Sequence, residues 1–216
     1  MITKDLKKRI YTSLILFLLI TLVSSSKAIL VFSLIVLSVL SALEFINLTN
    51  KIIKNKFYSF VSNLFFIIYI FIFCLFFFYF SNFFHLKVML FSLLLCCIAS
   101  DIGGFVFGKT FKGPKITKIS PNKTYSGSLG SVIFSMVVFS GSIFFFTNNF
   151  NYMILIIAII TSIACQFGDL FFSFLKRKAK IKDTGNFLPG HGGILDRLDG
   201  IFLGIPIGFI SLTIFY

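Results

Sequence analysis

Charged residues are scarce in this sequence of 216 residues: 12% are Asp, Glu, Lys or Arg, whereas 57% are hydrophobic and the mean hydropathy is +1.01. A soluble globular domain carries about a quarter charged residues, so the composition excludes that class. The apolar residues form long runs of the kind that cross a bilayer as helices. The sequence therefore predicts an all-α, polytopic integral membrane protein made of a single membrane domain, residues 1–216.

Cysteine and histidine are also few, with four and two residues. The cysteines, which are Cys74, Cys96, Cys97 and Cys165, all lie within apolar runs. We expect them to be small buried hydrophobic residues rather than a disulfide or zinc set. The absence of a Cys/His cluster argues against a zinc site.

Seven apolar spans are predicted. They are Ile10–Val23, Ala28–Phe45, Phe57–Phe80, Leu86–Phe107, Leu129–Phe146, Tyr152–Leu175 and Leu198–Tyr216. The first span holds about 14 apolar residues and would cover ~21 Å of a ~30 Å hydrocarbon core. The first pair is therefore open to a second interpretation, in which it forms a shallow hairpin.

Acidic residues number only seven against 20 Lys and Arg, which gives a formal net charge of +13. Such an excess is compatible with nucleic-acid binding, but 18 of the 20 basic residues fall in segments that a cytoplasmic N-terminus places inside. This distribution follows the positive-inside rule. It predicts a cytoplasmic N-terminus, an external C-terminus and no nucleic-acid partner. Since the longest connections, 109–128 and 176–197, are then cytoplasmic, function is expected to face the cytoplasm.

Three acidic residues lie within predicted spans. Glu44 is near the inner end of the second span, where snorkelling or helix capping is favoured over catalysis. Asp101 and Asp169 each precede the inner end of their span by about six or seven residues, a depth of ~9–10 Å. Their matched depth, and the glycines beside them, predict one shared polar pocket. The alternative is that each carboxylate only pairs with a nearby Lys.

The segment before the last span concentrates charge and glycine. Asp169, Ser173 and Lys176 are spaced i, i+4, i+7, which places them on one face of a helix. Asp196 and Asp199 are spaced i, i+3 and would also share a face. Hard carboxylate oxygens surrounded by basic residues favour Mg²⁺ and a nucleotide. The predicted metal ligands are Asp169 and Asp196, with Asp199 as a further candidate.

A glycine-rich turn, residues 189–193, follows Asp183. Its glycines would let backbone N–H groups approach an anion without obstruction by side chains. His191 lies inside this turn, and a phosphate or ribose contact is favoured for it over a purely structural role. A second candidate phosphate cradle, in the other cytoplasmic loop, consists of Ser120, Lys123 and Thr124.

These residues resemble the phosphatidate cytidylyltransferase (CDP-diacylglycerol synthase) family. The shared pattern is S-x2-K-R-x4-K-D-x-G-x3-P-G-H-G-G-x2-D-R-x-D, which runs from Ser173 to Asp199. The resemblance also covers residues 101–109, 120–124 and 168–171. Two positions depart from the family pattern, because Ser126 and Phe172 stand where the family usually has Glu.

The resemblance implies a nucleotidyltransferase that transfers CMP from CTP to phosphatidate, giving CDP-diacylglycerol and pyrophosphate for phospholipid synthesis. It also implies Mg²⁺, a second cation that is K⁺ or Mg²⁺, a homodimer, and a site at the cytoplasmic face of a bacterial inner membrane. Residues 86–216 would form the catalytic core, and residues 1–85 would be scaffold helices.

The resemblance also assigns residue roles. The expected catalytic residues are Asp169, Lys176, Asp196 and Asp199. The expected substrate-binding residues are Asp101, Ser120, Lys123, Thr124, Ser173, Arg177, Lys182, Asp183, His191, Gly192, Gly193 and Arg197.

Two alternatives stay open at this point. One is a cytidylyltransferase that acts on a different lipid phosphate, because the apolar residues do not reveal tail preference. The other is a transporter or channel with intramembrane carboxylates. Transporters place polar sites near the membrane midplane, between internal repeats. This sequence has no repeat and gathers its acids at one surface, so the transporter class is disfavoured.

Overall fold

A computed structural model describes residues 18, 20–117, 120, 123–185, 187 and 192–215 of the chain. Over these residues, a short helical stretch at 20–25 precedes six long helices. They are α1 (Lys27–Ile52), α2 (Lys56–Ser81), α3 (Phe84–Phe111), α4 (Tyr125–Thr147), α5 (Tyr152–Lys178) and α6 (Leu195–Phe215). Each of the six is long and apolar enough to cross a membrane. The prediction of an all-α, polytopic membrane protein is confirmed.

The six helices correspond to the second to seventh predicted spans, and most of the first span, Ile10–Val23, lies outside the described residues. The helices run further than the apolar spans do. For example, α1 continues to Ile52 because polar side chains near its end have partners on α2. Thr49 Oγ1 donates to Asn63 Oδ1 at 2.6 Å, and Ser59 Oγ donates to Asn50 Oδ1 at 2.9 Å. Hydropathy alone detects only the apolar part of such a helix.

The chain divides into two compact units, each built from two segments. The first unit is the described part of Met1–Phe78 with Leu175–Leu198, and the second is the described part of Tyr79–Phe174 with Asp199–Tyr216. The last turn of α5 and the first turn of α6 therefore belong to the first unit. The predicted scaffold, 1–85, and catalytic core, 86–216, are a functional division and stay a prediction.

In the first unit, α1 and α2 pack through aromatic and aliphatic side chains. The rings of Phe45 and Phe66 are stacked with centroids 3.8 Å apart, and Leu30 and Leu48 are fully buried. This packing holds α1 in place, and α1 carries the buried residue Glu44 near its C-terminal end.

In the second unit, α3 and α4 approach closely through small residues. Ser131 Oγ donates to Ser100 O at 2.7 Å, and Ser135 Oγ donates to Cys96 O at 3.1 Å. A Cβ atom added at Gly130 would overlap Phe107 and lie 2.8 Å from Gly103 O. Helices in lipid associate by close packing and interhelical hydrogen bonds rather than by hydrophobic burial, so these contacts hold the pair together. All four cysteines are free, and Cys96, Cys97 and Cys165 are buried.

Replacing Gly130 by alanine is expected to destabilise the protein by about 1–3 kcal/mol, because the added methyl group overpacks the α3–α4 contact. The measurement is the thermal unfolding temperature of the purified protein in detergent. Gly141→Ala is the matched control, because it lies on the same helix and a Cβ added there meets nothing within 4 Å. An equal loss of stability in both variants would contradict the packing described here.

Candidate active site

In the first unit, Asp196 is held by three donors. Lys176 Nζ lies 2.7 Å from Asp196 Oδ1, and the two side chains are only 12% and 6% exposed. Asp196 Oδ2 accepts the backbone N–H groups of Thr184, at 2.8 Å, and Gly193, at 3.0 Å. Because a carboxylate offers about four acceptor positions, roughly one remains for a further ligand. Asp196 thus closes the loop between α5 and α6 and also keeps some capacity to bind a cation.

Glu44 is a second buried carboxylate in the same unit, and it contacts that loop at Thr184 and at its C-terminal end. Its Oε1 accepts the N–H of Ile194 at 3.0 Å, and its Oε2 accepts the N–H of Leu195 at 2.9 Å. Oε2 also accepts the hydroxyl of Thr184 at 2.6 Å. The first N–H groups of a helix have no partner within the helix, so Glu44 caps the N-terminus of α6. A capping role was favoured from the sequence, but the capped helix is a distant one.

Two glycines of the loop, Gly192 and Gly193, lie close against these carboxylates. Gly192 has a φ of 83°, a left-handed conformation that favours glycine. A Cβ atom at Gly193 would overlap Glu44 Oε2 and Thr184 Oγ1. The predicted role of this turn was to offer N–H groups to a phosphate, whereas the N–H of Gly193 donates to Asp196 in this structure. His191, together with Pro189 and Gly190, lies outside the described residues.

The basic residues predicted near this loop are mostly exposed. Arg177 Nη1 donates to the carbonyl oxygen of Ile181 at 3.4 Å, close to the end of α5. The exposed side chains among the predicted site residues of the first unit are Arg177, Lys182, Asp183 and Arg197. The three basic side chains among them are accessible to an anionic ligand.

In the second unit, Asp169 pairs with the loop that precedes α4. Lys123 Nζ lies 3.1 Å from Asp169 Oδ2, and the two side chains are 26% and 24% exposed. A half-open ion pair of this kind contributes little to stability. Its two charged groups are therefore available to a ligand at modest cost. Ser173 lies on α5, one turn after Asp169, and is half-buried.

The other carboxylates of the second unit are placed around Cys165 and Gly200. Cys165 Sγ lies 3.9 Å from Asp101 Oδ1, and a Cβ at Gly200 would lie 3.2 Å from Asp169 Oδ1. Asp199 is buried, and its Oδ1 accepts the N–H of Gly200 at 3.0 Å. Small residues let α6 approach α5 within this unit, because a Cβ at Gly168 would lie 2.5 Å from Asp199 O. The structure thus brings Asp101, Asp169 and Asp199 to one region of the second unit.

The loop before α4 is fixed by its own hydrogen bonds. Thr124 is the N-cap residue of α4, and its Oγ1 accepts the N–H of Gly127 at 3.1 Å. Ser120 O accepts the N–H of Lys123 at 3.1 Å. Ser126 Oγ accepts the N–H of Gly113 at 3.2 Å. Ser126, one of the two departures from the family pattern, therefore serves here to anchor the loop.

Phe172, the other departure, is a core residue of the second unit. It is 4% exposed, and its ring centroid lies 6.4 Å from that of Phe202. This position is apolar in the present chain and supplies no acidic group.

The residues present fit the predicted magnesium ion by their chemistry. Among the described residues, no group of three or more His, Cys, Asp or Glu side chains is placed to hold a metal. Mg²⁺ does not need such a group, because it is usually bound by one or two carboxylates, water and substrate phosphates. Asp169 and Asp196 supply hard oxygen atoms of that type, each beside one lysine.

Glu44 and Thr184 were not among the residues predicted for the site. The sequence offered one signal, because Glu44 is the single glutamate in the chain and lies in an apolar run. No sequence pattern connects it to Thr184, Ile194 and Leu195, which are 140 to 151 residues away.

The comparisons with known proteins agree with the resemblance. A family model described as the cytidylyltransferase family matches residues 2–215. A phosphatidate cytidylyltransferase of Helicobacter pylori is 41% identical over 131 residues, which are 57% of this chain and 46% of the relative. Enzymes of the same name from Mycobacterium leprae and Rickettsia felis are 35% and 41% identical over 57% and 54% of this chain. Those matches cover 40% and 56% of the two relatives, so the chain spans about half the length of the curated relatives it matches.

Replacing Asp196 by asparagine is expected to destabilise the protein by about 3–5 kcal/mol, the usual cost of breaking a buried ion pair. Asparagine keeps one oxygen, so its NH₂ group must face either Lys176 or the two backbone N–H groups. An NH₂ group cannot accept a hydrogen bond from either. The measurement is thermal unfolding in detergent. Asp183→Asn is the matched control, since it makes the same change at an exposed side chain. Equal stability of the two variants would contradict the role of Asp196 in closing the loop.

Proposed function

The chain belongs to the cytidylyltransferase family, and from that premise we propose that it transfers CMP from CTP to phosphatidate. The products are CDP-diacylglycerol and pyrophosphate. The observation that carries this proposal is the family match, which extends over residues 2–215. The curated relatives named as phosphatidate cytidylyltransferases supply the substrate pair.

The reaction is a nucleotidyl transfer at phosphorus. A phosphate oxygen of the lipid attacks the α-phosphorus of CTP and forms the new P–O bond. The bond from the α-phosphorus to the oxygen that bridges to the β-phosphate breaks, and pyrophosphate leaves with the electron pair. The lipid phosphate is already ionised at neutral pH, so no strong general base is needed. Catalysis then consists of positioning and neutralisation of charge.

Asp169 and Asp196 are the proposed ligands for Mg²⁺, with Asp199 as a further candidate. When bound, this ion would neutralise triphosphate oxygens and so stabilise the departing pyrophosphate. The two lysines that pair with these carboxylates limit their rotation. A second cation, K⁺ or Mg²⁺, is part of the same proposal.

Exposed and half-exposed basic side chains are the proposed phosphate contacts. Lys123, in the second unit, has the best-defined position, because its backbone is fixed by hydrogen bonds and its ammonium group lies beside Asp169. In the first unit, Arg177, Lys182 and Arg197 are accessible. Lys176 is largely buried and paired with Asp196, so we assign to it the orientation of that carboxylate.

The proposed location of the site is the cytoplasmic face of a bacterial inner membrane. Six apolar helices that can cross a membrane support an integral membrane protein, and the basic loops support this orientation. A lipid substrate would keep its acyl chains in the bilayer and bring its phosphate to the inner surface. A homodimer, implied by family resemblance, is also part of the proposal.

The test is transfer of label from [α-³²P]CTP into chloroform-extractable lipid by the purified protein. We expect label in the lipid phase that depends on both phosphatidate and Mg²⁺, and that is lost on chelation with EDTA and restored by Mg²⁺. Asp169→Asn is expected to lower the rate by about 100-fold or more, because a positioned charge at the reacting phosphates is removed.

The matched control for this variant is Asp5→Asn, which changes the one aspartate outside the predicted site. It should label lipid at the wild-type rate. If labelling requires a different lipid phosphate, that lipid replaces phosphatidate as the proposed acceptor. A folded protein that labels no lipid phosphate would contradict nucleotidyl transfer altogether.

A further inference from the structure

We propose that Glu44 is a positioning residue for the transferase: it closes the glycine-rich loop between α5 and α6 and thereby sets the orientation of Asp196. The proposal rests on the proposed function. It assigns a role to a residue of α1, a helix in which the sequence motifs of the family place no functional group.

Glu44 contacts the loop at two separate points. It accepts from the hydroxyl of Thr184, in the first half of the loop, and from the N–H groups of Ile194 and Leu195, where the loop meets α6. One carboxylate therefore ties together two points that are ten residues apart in the chain. Because Glu44 is buried on a packed helix, these points are held against a rigid element.

Two glycines of the loop leave the space that the Glu44 carboxylate occupies. A Cβ atom at Gly185 would lie 2.6 Å from Glu44 Oε1, and a Cβ at Gly193 would overlap Oε2. Glycines thus occur on both sides of the loop at the points where it contacts Glu44. Any larger side chain at either position would push the carboxylate away from its three donors.

Thr184 connects Glu44 to Asp196. The Thr184 hydroxyl donates to Glu44, and the Thr184 backbone N–H donates to Asp196 Oδ2. The same oxygen of Asp196 accepts the N–H of Gly193, next to the two residues that Glu44 caps. Because Glu44 holds Thr184 and the two residues that follow Gly193, it fixes two of the three donors that orient Asp196.

The chemistry of the contact requires a carboxylate. Both oxygens of Glu44 act only as acceptors, and three donors point at them. A glutamine would turn an NH₂ group toward at least one of these donors. The negative charge also lies at the N-terminus of α6, where the helix dipole favours it.

The test compares two variants of Thr184 with the wild type and with Glu44→Gln. Thr184→Val removes the hydroxyl and keeps the shape of the side chain, whereas Thr184→Ser keeps the hydroxyl. We expect kcat for lipid labelling to fall about 10- to 100-fold in Thr184→Val and Glu44→Gln, because a small displacement of a reacting group has an effect of that size. KM for CTP should change much less, since the basic residues proposed to contact phosphate are untouched. Thr184→Ser should stay close to the wild type.

A second readout, independent of activity, is cleavage by chymotrypsin after Phe187, an exposed residue inside the loop. Opening of the loop in Thr184→Val and Glu44→Gln should speed this cleavage, whereas Thr184→Ser should match the wild type. If Glu44→Gln does not fold, Thr184→Val decides the question, since it deletes only one hydroxyl.

The outcomes are distinguishable. Faster cleavage with kcat at the wild-type value would make Glu44 a purely structural residue and overturn the proposal. Unchanged cleavage in Thr184→Val would show that the loop is not held by Glu44, with the same consequence. A wild-type protein without any lipid labelling would instead remove the proposed function, while the cleavage rates would still report whether Glu44 closes the loop.

Discussion

The closure of the loop between α5 and α6 by two buried carboxylates is the interaction on which the first unit depends. Glu44 and Asp196 together accept five backbone or hydroxyl donors, and Asp196 is also paired with Lys176. A buried carboxylate is costly unless it is paired and hydrogen-bonded, and a helix N-terminus is costly if its N–H groups lack partners. Here the N–H groups at the start of α6 supply hydrogen bonds to the carboxylates, and the carboxylates supply acceptors to those N–H groups. The loop can therefore carry charged and glycine-rich sequence within a protein that is otherwise apolar.

The second unit meets the same requirement in a more open way. Asp169 is paired with Lys123 at a half-exposed position, and Asp199 accepts the N–H of Gly200. Glycines at the contacts of α5 with α6, and of α3 with α4, let backbone polar groups and side-chain oxygens approach closely. A protein in lipid gains little from bringing apolar surfaces together, so this close packing is what holds the helices.

The sequence predicted most of the helices, because an apolar run long enough to cross a bilayer has few other solutions. It also predicted that Asp169, Ser173 and Lys176 share a helix, since all three lie within α5. It could not predict the partners of Glu44, because hydrogen bonds between residues 140 to 151 positions apart depend on tertiary packing. For the same reason, glycines that are typical of anion-binding turns gave no sign that the N–H of Gly193 would donate to Asp196 instead.

The central claim is that the N–H groups at the start of α6 are bonded to Glu44 and Asp196. Amide hydrogen exchange, measured with single-residue resolution in the wild-type protein in lipid nanodiscs, tests it most directly. We expect slow exchange at Gly193, Ile194 and Leu195, whose N–H groups donate to these carboxylates, and fast exchange at the exposed loop residue Phe187. Exchange at Gly193, Ile194 and Leu195 as fast as at Phe187 would contradict it, because N–H groups held by buried carboxylates cannot exchange at the rate of an open loop.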